Sequence, residues 1–152
     1  NEIDLAKKVW AIPADRMKSD REHRVPLSQA AVGVLESLRD ERQSDFIFPG
    51  NRAKSPLSNM AFLQLLKRMG RGDLTAHGFR STFRDWAAER TDFPNEVAEM
   101  ALAHVVGDKV EAAFRRGDLY DKRRTLMDDW AGFCSVNVGA DGSVVAMREA
   151  TS

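Results

Sequence analysis

Cysteine is nearly absent from this 152-residue sequence, in which Cys134 is the single example. One thiol cannot form an intrachain disulfide, and its isolation excludes a zinc site built from several cysteines. A chain without disulfides fits a reducing compartment such as the cytoplasm. Because an unpaired cysteine usually behaves as a small hydrophobe, we expect Cys134 to be buried.

The sequence also lacks long apolar runs and an excess of charge of either sign. No apolar run approaches the roughly 20 residues of a membrane-spanning helix, and the first residues do not resemble a signal peptide. The 23 basic residues equal the 23 acidic ones, which argues against a dedicated nucleic-acid binder. Basic residues nevertheless cluster at 16–24, 67–71 and 115–124, and they form either solvated helix faces or one basic face of the fold.

The chain is 43% hydrophobic, which is enough for one domain with a sizeable core. Two short apolar segments, 7–12 and 22–27, predict the strands of a β-hairpin joined by a polar turn. The predicted fold class is therefore mainly α with a small N-terminal β-hairpin (α+β), in one domain over residues 1–134, followed by a tail over 135–152 that forms a weak hairpin or is disordered. Periodicity and capping residues predict helices over 28–42, 55–69, 78–90, 94–102, 108–115 and 118–133.

Apolar stripes indicate which helix faces should be buried. The stripe of the helix over 28–42 includes Val34, and that of the helix over 78–90 begins at Phe79. The last helix carries Trp130 and Phe133 on its stripe. Aromatic residues at this spacing are typical of a core, so they do not indicate a cofactor site.

Four polar residues are candidates for chemistry: Lys18, His77, Arg80 and His104. His77 and Arg80 are one turn apart at the start of a helix, so they form either a phosphate clamp or a capping histidine with a surface arginine. His104, among apolar neighbours, is either a structural residue or a ligand, and Lys18 is either a solvated or a functional loop lysine. Since no cysteine or carboxylate accompanies the histidines at ligand spacing, no metal site is expected.

Five segments form a pattern when they are taken in order: Trp10–Lys18, His23–Ser28, Thr75–Phe83, Leu102–His104 and Ala112–Leu119. Together they resemble the motifs of tyrosine recombinases of the phage-integrase family, of the type that prophages encode. The resemblance covers most of the chain, from about Trp10 to Cys134. It implies the catalytic-core fold of that family, truncated at its N-terminus, with residues 1–134 as part of the catalytic domain.

The resemblance implies DNA strand cleavage and rejoining without a metal or another cofactor. In the family a tyrosine attacks a DNA phosphate, forms a 3′-phosphotyrosine and releases a 5′-hydroxyl. By the same resemblance Arg80 and His104 hold the phosphate, and His77 positions it and assists proton transfer. Lys18 is the implied general acid for the 5′-oxygen. These residue types suit the task, because arginine makes forked contacts to phosphate and fixed donors stabilise developing charge.

The implied partner is double-stranded DNA at an attachment site, contacted by Lys18, Arg80, Arg115 and Arg116. The resemblance further implies a homo-oligomer on DNA and a cytoplasmic protein that a bacterium or a prophage encodes. No membrane partner is expected.

The segment that resembles the nucleophile motif departs from the family at Phe114, ten positions after His104. Phenylalanine has no hydroxyl, so it cannot form a phosphodiester link. The single tyrosine, Tyr120, occupies what is a helix position in the family. The first catalytic arginine of the family would precede Asn1. We therefore predict that the polypeptide as written does not cleave DNA, whether through an engineered substitution or through decay of a prophage gene.

Two alternatives to a recombinase remain open. The chain could be a non-enzymatic remnant that binds DNA through its basic residues, or one that associates with copies of itself. Self-association would use the amphipathic segment over 118–134, if its apolar face had no partner within the chain.

Overall fold

The structure, a computed structural model, describes residues 2–39, 44–50, 55–104 and 117–136. Within these ranges a mainly helical chain follows a small antiparallel sheet, which confirms that part of the predicted fold class. None of the described helices is long and apolar enough to cross a membrane. The predicted helix over 108–115 and the tail beyond Val136 lie outside the described residues. The elements are β1 (Ile3–Asp4), β2 (Val9–Ile12), β3 (His23–Pro26), α1 (Gln29–Ser37), α2 (Ala61–Arg68), α3 (Ala76–Arg90), α4 (Asn95–Ala101) and α5 (Tyr120–Val136).

The sheet has the antiparallel order β1-β2-β3, so the predicted hairpin is confirmed and gains a third strand. With 2 residues, β1 is too short to produce an alternating pattern in the sequence. Glu2 precedes it and accepts a hydrogen bond from the Trp10 indole at 3.0 Å, while its other carboxylate oxygen pairs with Arg16. Glu2 therefore ties the sheet to the turn that leads to Lys18.

The start of α1 is as predicted, but its end and one residue of its predicted stripe are not. Ser28 caps the helix by accepting a hydrogen bond from the Ala31 N–H at 3.3 Å. Val34 is 56% exposed and Val32 is 3% exposed, whereas the other residues of the predicted stripe, Ala31, Leu35 and Leu38, are half-buried. The helix ends at Ser37 rather than near residue 42. At this end the Ser37 hydroxyl donates a hydrogen bond to the Val34 carbonyl at 2.8 Å.

The prediction that a helix starts at Ser55 and Pro56 is wrong, since α2 begins at Ala61. Pro56 instead pairs with Pro49 in an isolated antiparallel bridge, and Gly50 N–H donates to the Ser55 carbonyl at 2.8 Å. A Cβ on Gly50 would lie 2.4 Å from the Pro56 carbonyl oxygen, so only glycine fits there. The close approach of the two segments therefore outweighs the local helix-start signal.

The core lies between α3, α4 and α5. Leu126 of α5 and Val97 of α4 are fully buried, and Trp86 of α3 is 8% exposed. The ring of Trp130 lies 5.0 Å from that of Trp86, and the ring of Phe133 lies 5.7 Å from it. The predicted aromatic stripe of the last helix is thus confirmed as core, and it packs on the chain's own helices.

Two residues that were expected in the core are exposed. Phe79 is 47% exposed because it lies one turn before Phe83, the first core residue of α3, and it meets Phe62 of α2 edge-on at 5.6 Å. Cys134 is exposed because it lies in the last turn of α5, beyond the aromatic core. Spacing alone therefore extends the stripe of α3 one turn too far, and residue type alone gives the wrong burial for Cys134.

Candidate phosphate-binding site

Two of the candidate residues lie near the start of α3. The Thr75 hydroxyl oxygen accepts a hydrogen bond from the Gly78 N–H at 3.0 Å, so the helix begins at Ala76 rather than at residue 78. His77 and Arg80 are one turn apart there, as predicted, and both are exposed. The backbone N–H groups of a helix start favour an anion, so the location suits phosphate.

A left-handed residue after α4 brings His104 back toward α3. Ala103 has a φ of 57°, a conformation that costs an L-residue roughly 1 kcal/mol. The His104 N–H then donates to the Glu99 carbonyl at 2.9 Å. In this position His104 Nε2 lies 2.7 Å from Arg80 Nη2, which also donates to the Leu102 carbonyl at 2.7 Å. The turn thus places His104, of the segment Leu102–His104, against Arg80, of the segment Thr75–Phe83.

Glu99 of α4 supports this pair from the other side of the imidazole. Its Oε2 lies 2.6 Å from His104 Nδ1, and its Oε1 accepts a hydrogen bond from Arg84 Nε. The hydrogen bond from Arg84, followed by that with His104, lowers the pKa of Glu99 below its usual value. Neither Glu99 nor Arg84 is among the residues that the sequence predicts. The available signal was that Arg84 lies one turn after Arg80 on the same helix.

The cluster of Arg80, Arg84, Glu99 and His104 presents hydrogen-bond donors at the surface. A guanidinium has five N–H donors in a fixed fork, more than the two contacts of Arg80 use. Since Glu99 offsets the charge of Arg84, an incoming anion would meet the charge of Arg80 and the positive end of the α3 dipole. Such a site can bind phosphate oxygens through charge-assisted hydrogen bonds.

Lys18 lies on the exposed turn between β2 and β3. Within the described residues, no hydrogen bond or ion pair joins it to Arg80 or His104. The single-turn helix before it, Ala14–Arg16, is held by the pair of Arg16 with Glu2. The structure therefore brings Arg80 and His104 together and leaves Lys18 on a separate segment.

The predicted nucleophile position, Phe114, and the predicted DNA contacts Arg115 and Arg116 lie outside the described residues. Their positions relative to Arg80 stay predictions. Gly117, the next described residue, directly precedes a second charged cluster.

This second cluster joins β3 to the start of α5. Asp118 accepts hydrogen bonds from Arg24 Nη2 at 2.9 Å and from Arg123 Nη2 at 2.8 Å. Arg123 is 1% exposed and also donates to the Arg24 carbonyl at 2.6 Å. Burial alone would raise the pKa of Asp118, but the hydrogen bond from Arg24 and the charges of both arginines hold it below its usual value. The cluster fixes the residues after Gly117 against the hairpin that carries Lys18.

The single tyrosine takes part in this second cluster. The Tyr120 N–H donates to Asp118 Oδ1 at 3.2 Å, and the Arg24 guanidinium lies 4.6 Å from the centre of the Tyr120 ring. A cation at this distance over an aromatic face is attracted to it. The contact accounts for Tyr120 as a packing residue of α5.

Comparisons with known proteins give one family. The profile of the phage integrase family matches residues 1–113. The chain is similar to prophage integrase IntA of Escherichia coli (strain K12), with 38% identity over 95% of this chain and 35% of that protein. Prophage integrase IntS of the same strain is 32% identical over 90% of this chain and 36% of its own length. The integrase of Shigella phage Sf6 is 31% identical over the same shares, 90% and 36%. The chain thus spans about a third of the length of these curated relatives, and no solved structure matches it.

Proposed function

Since this chain belongs to the phage integrase family, we propose that it is the part of a tyrosine recombinase that holds the DNA phosphate during site-specific recombination. The observation that carries the proposal is the contact between Arg80 and His104 at 2.7 Å, although 24 residues separate them in sequence. Residues 1–134 are the proposed portion of the catalytic domain. Attachment-site DNA, further copies of the protein on that DNA and a cytoplasmic location belong to the same proposal.

In the proposed reaction, Arg80 and His104 bind the non-bridging oxygens of the phosphate, where negative charge develops in the transition state. His77, one turn from Arg80, positions the phosphate and assists proton transfer. Lys18 gives a proton to the 5′-oxygen as the bond between phosphorus and that oxygen breaks. DNA that contacts both the hairpin and α3 would bring Lys18 to this site.

Phe114 stands at the nucleophile position and has no oxygen that could bond to phosphorus. We expect no covalent protein–DNA adduct when the chain is incubated with a nicked suicide duplex and examined by denaturing electrophoresis. The variant Phe114→Tyr supplies the missing hydroxyl, so an adduct with this variant alone would assign the inactivity to residue 114. An adduct with the parent chain would overturn the predicted inactivity.

Phosphate binding itself is tested by titrating a short fluorescent duplex with the chain at several salt concentrations. We expect a dissociation constant of about 10⁻⁴ to 10⁻⁶ M that weakens with salt. Arg80→Ala should weaken binding and reduce the slope of log affinity against log salt by about one, because one phosphate contact is lost. The control is Arg71→Ala, which removes an exposed arginine that pairs with its neighbour Asp73. Equal effects of both substitutions would contradict a specific role of Arg80.

A non-enzymatic DNA-binding function is the second candidate, and Phe114 favours it, because binding needs no nucleophile. The same titration distinguishes the two candidates. A binding module should bind more tightly than about 10⁻⁶ M without help from other domains, whereas a recombinase fragment should not. Self-association through α5 is less favoured, because Trp130 and Phe133 already contact Trp86 within the chain. Light scattering with and without duplex measures whether copies assemble only on DNA.

A further inference from the structure

We propose that Glu99 is a positioning residue, which holds the His104 imidazole as the tautomer protonated on Nδ1 and directs Nε2 toward Arg80. The inference rests on the proposed function, since it names the group that prepares His104 for the phosphate. Glu99 itself would not touch DNA and would act through the histidine.

The tautomer follows from the chemistry of the neighbours. A guanidinium only donates hydrogen bonds, so His104 Nε2, 2.7 Å from Arg80 Nη2, must accept. The ring proton of a neutral imidazole is then on Nδ1. Nδ1 lies 2.6 Å from the Glu99 carboxylate, which accepts that proton's hydrogen bond. Arg80 and Glu99 thus select the same tautomer from opposite sides of the ring.

Glu99 is itself held at three atoms, which makes it a rigid support. Its Oε1 accepts from Arg84 Nε, its Oε2 faces His104, and its backbone carbonyl accepts from the His104 N–H at 2.9 Å. Its side chain is 17% exposed, and the adjacent Ala98 is buried in the core. The imidazole is therefore fixed through both its side chain and its backbone to a buried part of α4.

This arrangement prepares the ring for a change of partner. A phosphate oxygen can replace Nε2 as the acceptor for Arg80, because a guanidinium has more donors than the present contacts of Arg80 use. The hydrogen bond between Nδ1 and Glu99 would then keep the imidazole in place beside the phosphate.

The test is the ¹⁵N spectrum of the histidine rings, recorded at a pH where they are neutral, because the chemical shifts of the two ring nitrogens identify the protonated one. The sequence has 3 histidines, so His23→Gln and His77→Gln assign the signals of the third. We expect His104 to favour the Nδ1–H tautomer by about tenfold or more, as a charge-assisted hydrogen bond should produce. His104 protonated on Nε2 in the parent chain would overturn the proposal.

The variant Glu99→Leu removes the acceptor and leaves Arg80 as the one group that selects the tautomer, so the preference for Nδ1–H should weaken. The matched control is Glu89→Leu on the exposed face of α3, which should leave the tautomer unchanged. An unchanged tautomer in folded Glu99→Leu would also overturn the positioning role. If that variant does not fold, Glu99→Gln replaces it, because a neutral amide oxygen should hold Nδ1–H less strongly than the carboxylate and so also weaken the preference.

Adding a short DNA duplex separates this inference from the proposed function. Nδ1–H in the free chain supports the role of Glu99, whatever the duplex does. Saturating duplex that leaves the His104 signals unmoved would overturn the phosphate site and not the tautomer assignment. A third outcome is that the free chain carries the proton on Nε2 and that duplex moves the His104 signals. This outcome would support the phosphate site and overturn the role of Glu99.

Discussion

The two charged clusters described above both pair arginines with a carboxylate, but they differ in how exposed the arginine side chains are. In the cluster around Asp118, the Arg123 side chain is 1% exposed and joins β3 to α5. In the cluster around Glu99, the Arg84 and His104 side chains are 52% and 44% exposed and stand beside the candidate phosphate site. A buried charge destabilises the fold strongly when its partner is removed, whereas exposed pairs contribute little. We infer that the first cluster maintains the fold and the second maintains the geometry of a binding site.

The largest expected effect is that of Arg123→Met. The substitution removes one of the two arginine partners of Asp118 and the hydrogen bonds from Arg123 to the Asp118 and Arg24 carbonyls, so the free energy of unfolding should fall by about 3 kcal/mol. Urea unfolding measures this as a lower midpoint with an unchanged slope. The control is Arg124→Met, the exposed neighbour, which should change the free energy of unfolding by less than about 0.5 kcal/mol. A similar loss for both variants would refute the distinction between buried and exposed arginines.

A smaller effect is expected for Asp118→Asn, because the amide oxygen can still accept a hydrogen bond from Arg123, which also keeps its two backbone carbonyl acceptors. The Asp118 side chain is also 38% exposed, so solvent screens part of its interaction. The loss at neutral pH should be about 1 kcal/mol. Since folding lowers the pKa of Asp118, its stabilising contribution is present above the unfolded value of about 3.9 and is lost as the pH falls through the folded value. The difference in unfolding free energy between parent and variant should therefore shrink below about pH 4. A constant difference down to pH 2 would argue against this ion pair.

His23 extends the comparison to mildly acidic pH. Burial, and then the charge of Arg123, lower its pKa below the usual value. The unfolded chain then binds a proton more readily, so stability should decline as the pH falls below about 6.5. Thermal unfolding between pH 7 and pH 5 measures this decline, and His23→Gln should reduce it. Arg123→Met should reduce it partly, because one of the two causes is removed.

The smallest effect on stability is expected for Arg84→Met. The Arg84 side chain is 52% exposed, so solvent screens its pair with Glu99 and the unfolding midpoint should hardly change. The affinity for duplex DNA should nevertheless fall, because Glu99 loses the contact that holds it and its charge is no longer offset beside Arg80. A large loss of stability with unchanged DNA binding would reverse the roles assigned to the two clusters.

The sequence predicts those parts of the molecule in which local pattern and packing agree. The hairpin follows from alternating apolar segments, and the core position of Trp130 follows from helical spacing. Arg80 and His104 follow from motif resemblance, although only the fold shows that they touch. In each case the residue type and its neighbours in sequence favour the same structure.

The failures occur where contacts between distant segments decide the structure. Pro56 carries a helix-start signal, but its pairing with Pro49 overrides it. Arg123 falls on a helix that periodicity describes only by its apolar residues, so a buried arginine is not expected from the pattern. Glu99 looks like a surface carboxylate until α3 brings Arg84 to it. Charged side chains with partners far away in sequence are therefore what the pattern misses.

Ala103, between α4 and His104, has a consequence for engineering. Its φ of 57° is one that glycine adopts without a steric penalty, so Ala103→Gly should relieve roughly 1 kcal/mol of strain, offset in part by the greater entropy of an unfolded chain with glycine. Glycine would also allow backbone angles in which His104 no longer faces Arg80. Directed evolution for heat resistance could thus accept glycine at this position, while selection for a fixed contact between His104 and Arg80 would reject it.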